Sequence, residues 1–183
     1  MPTNMRDRED LRAQFIVTID PDDARDFDDA IHVEKLDGGE WELGVHIADV
    51  SAYVVPGSAL DREALRRGNS VYLADRVIPM LPERLSNGVC SLNPDVNRLT
   101  HSAFIRFGKN GRSKASRFAE DDHSQCAPSD LQAKPTRFCT RRLTMNWANG
   151  LHAAWELASL LRRKRFEHGS LDLDFPEVKV LAR

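Results

Sequence analysis

The residues best suited to chemistry form one acidic cluster near the start of the chain. Six aspartates lie within ten positions: Asp20, Asp22, Asp23, Asp26, Asp28 and Asp29. Carboxylates this close in sequence disfavour one another's ionisation, so an acidic loop beside a buried strand is costly unless cations balance it. Carboxylate oxygens are hard ligands, which suit Mg²⁺ or Mn²⁺ better than zinc or copper.

Two other interpretations of the cluster have to be weighed. A calcium-binding EF-hand loop that began at Asp20 would need glycine at its sixth position and glutamate at its twelfth. Those positions hold Arg25 and Ile31, so this kind of loop is excluded. A solvated acidic turn without any metal accounts for the residues equally well, since aspartate is common in turns. The residues alone leave that alternative open.

The elements around the cluster are predicted to be mainly extended. Residues 15–19 are rich in β-formers and predict a strand before the aspartates. Residues 30–36 and 41–47 predict two further strands, and the Asp-Gly-Gly-Glu turn at 37–40 joins them as a hairpin. If residues 26–29 were fully extended, Asp29 would face away from Asp26 and Asp28, so a bend must bring it round.

A short helix is predicted over 59–67, with Ser58 as its N-cap and Gly68 after its last turn. The residues expected on its inner face are Leu60, Ala64 and Leu65.

The second part of the chain predicts one long helix and two more strands. Residues 102–107 alternate as a strand, 151–167 follow helical spacing, and 170–175 alternate again. We therefore expect a mixed α/β (α+β) fold, with twisted, mostly antiparallel strands and helices packed on them.

The bulk properties indicate an ordinary soluble globular chain of 183 residues, with 41% hydrophobic and 30% charged residues. The net charge of −2 gives no strongly basic field. Three cysteines without a Cys-x-x-Cys pair argue against disulfides or a thiolate zinc site. Without an apolar leader or a membrane-length apolar run, we expect a cytoplasmic location and no membrane partner. We divide the chain into a flexible lead-in over 1–14 and one domain over 15–183.

The acidic cluster also resembles a known signature. Asp20, a five-residue gap, Asp26 and the pair Asp28-Asp29 are similar to the motif of the RNase II/RNase R family, whose catalytic domain is called RNB. The resemblance continues through further segments: GVHIADVSAYV (44–54), LDREA (60–64), RGNSVYL (67–73), VIPMLP (77–82), LSNGVCSLNP (85–94) and GSLDLDFP (169–176). The decapeptide at 85–94 is the most specific of these.

The resemblance implies an RNB-type core and a Mg²⁺-dependent 3′→5′ exoribonuclease, with Mn²⁺ as the alternative ion. Asp20, Asp26, Asp28 and Asp29 match the family's catalytic, metal-binding carboxylates, and Tyr72 matches a tyrosine that contacts the 3′-terminal nucleotide. The implied partner is single-stranded RNA, which is hydrolysed to nucleoside 5′-monophosphates without a small-molecule cofactor. Asp22 and Asp23 fall in the variable gap and are expected to be solvated.

Three departures from the family pattern limit this expectation. The resemblance implies that the chain covers about the first half of a usual RNB domain, without its Ser-Pro-Ile-Arg-Arg segment, and we expect it to lack the family's flanking RNA-binding domains. Residues 121–147 do not resemble the family. A frameshift near 120 that is restored near 147 would account for them, and a genuinely divergent loop is the alternative. We expect that segment to be disordered.

The isolated fragment is accordingly expected to be inactive or very weakly active as an exoribonuclease. Two alternative functions stay open: a non-catalytic RNA-binding remnant, and a different Mg²⁺-dependent phosphohydrolase that uses the same carboxylates.

Overall fold

The fold is seen in a computed structural model that describes residues 8–21, 24–73, 75–124 and 147–173. The strands and helices of these ranges are β1 (Glu9–Asp10), β2 (Asp29–Lys35), β3 (Trp41–Ala48), α1 (Ala59–Arg67), β4 (Val71–Tyr72), β5 (Val77–Ile78), β6 (Asn97–Phe107), β7 (Ser113–Ser124) and α2 (Trp147–Glu167). Five strands form one sheet in the order β1-β7-β6-β3-β2, while β4 and β5 pair separately. All of these pairs are antiparallel except β1 with β7. The predicted mixed α/β class with mostly antiparallel strands is confirmed.

The β2–β3 hairpin is the part of the sheet that directly follows the acidic segment, and its first residue is Asp29. Its register runs from Asp29 opposite Ile47 to Lys35 opposite Trp41, as the turn signal predicts. Gly44 in β3 is required by a close approach, because a Cβ atom there would lie 2.2 Å from the His32 ring. The hairpin therefore fixes the position of Asp29 at the start of β2.

One face of the sheet packs on the main hydrophobic core. The buried side chains of this core are Leu11, Ile16, Phe27, Ala30, Ala48, Leu92 and Phe104. They come from the sheet, from the irregular backbone before and within the acidic segment, and from the loop that contains Leu92. Removing a large member of such a core typically costs about 2–5 kcal/mol of stability. The acidic segment is thus anchored by apolar residues next to it.

The two α-helices follow their sequence signals closely. The Ser58 hydroxyl accepts a hydrogen bond from the Asp61 amide at 3.1 Å, and α1 ends before Gly68, whose φ is 79°. The inner-face prediction is wrong for Leu65, which is 82% exposed. Helix α2 packs beside β2, where Glu156 forms a 2.8 Å ion pair with Lys35. No helix in the described ranges has the length and apolar character that a membrane crossing requires.

Several local predictions differ from the structure. Residues 15–19 form only a single bridge, between Val17 and Ile31, and not a strand. Residues 170–173 are irregular, while the remainder of that predicted strand, 174–175, lies outside the described residues. The lead-in prediction is wrong for 8–14, because β1 pairs with β7 and Leu11 is buried.

The segment that departs from the family pattern is only partly described. Strand β7 continues through 121–124, so disorder is not what the structure shows there. Helix α2 begins at Trp147. The prediction for 125–146 lies outside the described residues.

A candidate acidic active site

The four aspartates singled out from the sequence come together in space. Asp20, Asp26, Asp28 and Asp29 all line one cavity of about 900 Å³. Residues 24–28 have no regular structure, and β2 begins at Asp29. This irregular backbone supplies the bend that the alternation of a fully extended strand would not allow. Asp22 and Asp23 lie outside the described residues.

The backbone on both sides of the cluster is tied to the core. Val17 exchanges two backbone hydrogen bonds with Ile31, at 2.9 and 2.8 Å, which brings the residues before Asp20 against β2. The Asp28 carbonyl accepts a hydrogen bond from the Ala48 amide at 2.9 Å. The acidic side chains therefore project from a backbone that is held on its inner side, and they face the cavity.

The carboxylates influence one another electrostatically. Partial burial raises the pKa of Asp28, and the charges of Asp26, Asp29 and Asp20 raise it further. Burial also raises the pKa of Asp20; a hydrogen bond from Thr18 opposes this, while the charges of Asp29 and Asp26 add to it. A positive charge in the cavity would relieve this repulsion.

Tyr72 lies on the outer wall of the cavity. The β4–β5 ribbon carries it, and its side chain is 66% exposed. Its hydroxyl donates a 3.0 Å hydrogen bond to Asp26 Oδ2. That bond and the Asp26 charge raise the pKa of Tyr72. The phenol is thus tied to the acidic cluster at one end, while its ring stays accessible.

The donor set can be tested for its fit to a divalent cation. All four groups offer hard oxygen ligands, and Asp20 Oδ2 is buried without any hydrogen-bond partner. However, in the ranges that the structure describes, no three Asp, Glu, His or Cys side chains form a group arranged to hold a metal ion. The residues fit Mg²⁺ or Mn²⁺ in their chemistry and in the cavity they share, but they are not a preassembled cage.

The cavity also contains residues to which the sequence pattern assigned no role. Among them are Arg25, Arg76, Ser86 and Asn87. Arg76 Nη2 forms an ion pair with Asp75 Oδ2 at 2.6 Å. Ser86 and Asn87 belong to the decapeptide at 85–94. The family resemblance includes both this decapeptide and the aspartates, and that was the one sequence signal that could have indicated a role for them. The structure brings both motifs to one cavity.

The sequence profile of the RNB domain matches residues 8–183. The chain belongs to the RNB domain family. Ribonuclease R of Thermotoga maritima is 44% identical to this RNB chain over 194 residues, which cover 95% of the chain and 25% of that relative. Ribonuclease R 1 of Lactococcus lactis is 42% identical over 185 residues, covering 95% of the chain and 22% of that relative.

Among solved structures, the RNB chain is similar to RNase R of Mycoplasma genitalium in complex with ribose-methylated single-stranded RNA. The TM-score is 0.83 and the sequence identity 32%, with coverage of 97% of this chain and 28% of the other. The RNB chain therefore spans about a quarter of the length of the curated relatives it matches.

Proposed function

We propose that the acidic cavity is the metal-binding part of a 3′→5′ exoribonuclease active site. Its substrate is the 3′ end of single-stranded RNA, and its products are nucleoside 5′-monophosphates. The observation that carries this proposal is the convergence of Asp20, Asp26, Asp28 and Asp29 on one cavity. Membership of the RNB family supports the assignment, because relatives are named ribonuclease R.

The proposed role of the four carboxylates is to bind and position Mg²⁺, with Mn²⁺ as the alternative. When bound, the ion supplies positive charge that activates water and stabilises the oxygens of the cleaved phosphodiester. Two observations support cation binding at this site: Asp20 Oδ2 has no hydrogen-bond partner, and burial together with neighbouring carboxylates raises the pKa values of Asp20 and Asp28.

Tyr72 is the proposed contact for the terminal nucleotide. Its exposed ring borders the acidic cavity, and its hydroxyl is bonded to Asp26. Aromatic rings stack on every base, so this contact suits an enzyme that accepts any sequence. A related RNase R was solved with single-stranded RNA, which supports RNA as the ligand.

The test compares the chain with its Asp28→Asn variant on RNA labelled at its 3′-terminal nucleotide. We expect only weak release of labelled nucleoside monophosphate in Mg²⁺, because the chain spans about a quarter of the length of its relatives. The substitution should abolish this release, while RNA affinity is largely retained. Asp37→Asn, on the hairpin turn away from the cavity, is the matched control and should leave turnover unchanged. Turnover that survives Asp28→Asn would contradict the proposed role.

A second candidate is an RNA-binding module without catalysis. The observation in its favour is that the described carboxylates are not arranged to hold an ion as they stand. This alternative predicts RNA binding that weakens steeply with salt and no monophosphate release from the unsubstituted chain in either metal.

A further inference from the structure

Ser91 is a buried polar residue that contacts the acidic segment from behind. Its side chain is 0% exposed, and it lies just after the π-helical turn Leu85–Val89. The Ser91 hydroxyl donates to the Arg25 carbonyl at 3.1 Å and accepts from the Phe27 amide at 3.0 Å. These two partners are the neighbours of Asp26 in the chain.

The Ser91 hydroxyl both donates and accepts a hydrogen bond in the acidic segment. A serine hydroxyl has one proton to donate, and here it goes to residue 25 while the oxygen receives the proton of residue 27. The next residue adds a third bond, from the Leu92 amide to the Phe27 carbonyl at 2.8 Å. Three bonds thus fix the backbone around Asp26.

The clamping residue is itself held in place. Arg98 Nε donates to the Ser91 carbonyl at 2.8 Å, and Arg98 Nη2 donates to the Gly88 carbonyl at 3.1 Å. Arg98 belongs to β6, a long strand of the main sheet. The backbone around Asp26 is therefore connected through Ser91 to the rigid part of the fold.

We propose that Ser91 is the positioning residue for Asp26, whose orientation toward a bound divalent cation it sets through the carbonyl of Arg25 and the amide of Phe27. This inference rests on the proposed function, since it takes Asp26 as a metal ligand. It also explains why the motif at 85–94 accompanies the aspartates: one supplies the ligands and the other holds their backbone.

A purely structural role for the hydroxyl has to be separated from this one. Ser102 offers the matched control, because it is 2% exposed and its hydroxyl forms a 2.7 Å hydrogen bond with His46 Nδ1. It does not line the acidic cavity. Ser91→Ala and Ser102→Ala each remove one buried hydroxyl together with the hydrogen bonds that it forms.

The experiment measures Mn²⁺ affinity by electron paramagnetic resonance for the full chain, Ser91→Ala and Ser102→Ala. All three are compared at a temperature where circular dichroism shows them folded. Groups that orient a metal ligand typically contribute about 10- to 100-fold to metal affinity, and we expect a loss of that size in Ser91→Ala. Ser102→Ala should match the unsubstituted chain. An unchanged affinity in Ser91→Ala, or an equal loss in Ser102→Ala, would overturn the inference.

A second measurement needs no variant and covers the case in which Ser91→Ala fails to fold. Hydrogen exchange at the Phe27 amide of the unsubstituted chain should be slow, because its partner is a buried hydroxyl. If the Phe27 amide exchanges at the rate of an open loop, Ser91 does not hold the backbone beside Asp26, and the inference is overturned. The proposed metal site would not be affected by that result. Absence of any Mn²⁺ binding by the unsubstituted chain, despite a protected Phe27 amide, instead overturns the proposed function and with it the role of Ser91 toward the ion.

Discussion

The Tyr72 phenol donates a hydrogen bond to Asp26 Oδ2 over 3.0 Å, and so joins the outer wall of the cavity to the acidic cluster. The two residues are 46 positions apart in the chain. The bond and the Asp26 charge stabilise the protonated phenol, because a phenolate would lose the bond and face a carboxylate. The pKa of Tyr72 is raised above 10.0 as a result.

Asp26→Asn should therefore lower the pKa of Tyr72 toward 10.0. An absorbance titration of the phenolate band measures this in a Tyr53→Phe background, since the chain has two tyrosines. Asp75→Asn changes another carboxylate of the cavity wall and should leave the Tyr72 titration in place. A Tyr72 titration that does not move in Asp26→Asn would show that the phenol bond is absent in solution.

Tyr72→Ala is expected to weaken single-stranded RNA binding by about 1–3 kcal/mol, the usual contribution of one base stacked on an aromatic side chain. Tyr72→Phe keeps the ring and loses the bond to Asp26, so its RNA affinity should stay near that of the unsubstituted chain. Fluorescence anisotropy with a labelled oligonucleotide separates the two. Equal losses in both variants would place the contribution in the hydroxyl, against the stacking role.

Asp49 is expected to stabilise the fold above acid pH. It is 2% exposed and forms a 2.5 Å ion pair with Arg8. Burial alone would raise its pKa, but hydrogen bonds from Ser51, Arg8 and the Ala52 amide outweigh it, so the pKa lies below 3.8. A carboxyl with a depressed folded-state pKa stabilises above its unfolded value and loses that contribution as pH falls through the folded value.

Asp49→Asn should thus lower the free energy of unfolding at pH 7 by about 3–5 kcal/mol, because it removes the negative charge of a buried ion pair. The difference from the unsubstituted chain should shrink as the pH falls below 3.8. Urea unfolding across pH measures this difference, with Asp37→Asn as the control, since Asp37 lies exposed on the hairpin turn. A pH-independent difference would contradict the charge as its cause.

His32 is expected to make the stability of the fold depend on pH a second time, in the range just below neutral pH. Its ring is buried and lies 3.0 Å from His46 Nε2. Burial lowers the pKa of His32 below 6.5; the Glu42 charge opposes this shift and the Arg117 charge adds to it. The unfolded chain therefore takes up a proton near pH 6.5 that the folded chain does not, so stability falls as pH drops from 6.5 toward the folded pKa.

Unfolding curves between neutral and mildly acid pH should show this slope. His152→Gln changes an exposed imidazole and should leave the slope unaltered. His32→Gln should flatten it, even at the cost of lower stability throughout. A slope that persists in His32→Gln would assign the proton uptake to a different group.

Local signals in the sequence predicted local structure well. Ser58 and Gly68 bracket α1 because capping depends on neighbouring residues, and the turn at 37–40 sets the β2–β3 register. The β-formers of 15–19 failed as a strand signal because the backbone there turns into the acidic segment after one bridge. Leu65 failed because no described element covers its side of the helix, which the sequence of the helix cannot show.

The sequence predicted which aspartates lie together, but it did not predict the contacts that hold their backbone. The spacing of the aspartates and a family resemblance indicated which carboxylates would converge. The contact of Ser91 with Phe27 spans 64 positions and depends on how two irregular segments meet. Neither hydrophobic periodicity nor secondary-structure propensity predicts a contact between such distant irregular segments. The hydrogen bond between Tyr72 and Asp26 was unpredictable for the same reason.

The outermost long strand of the sheet has a consequence for association between molecules. Strand β7 has 12 residues, and β1 pairs with only Asp121 and Asp122. Within the described ranges, the outer amide and carbonyl groups along 113–120 form no ladder with another strand. Such a row is a template on which a foreign strand can add. Lys114 and Arg117 lie along this edge, each in an ion pair with a glutamate. Charged side chains on an edge strand disfavour the addition of a second copy of the chain.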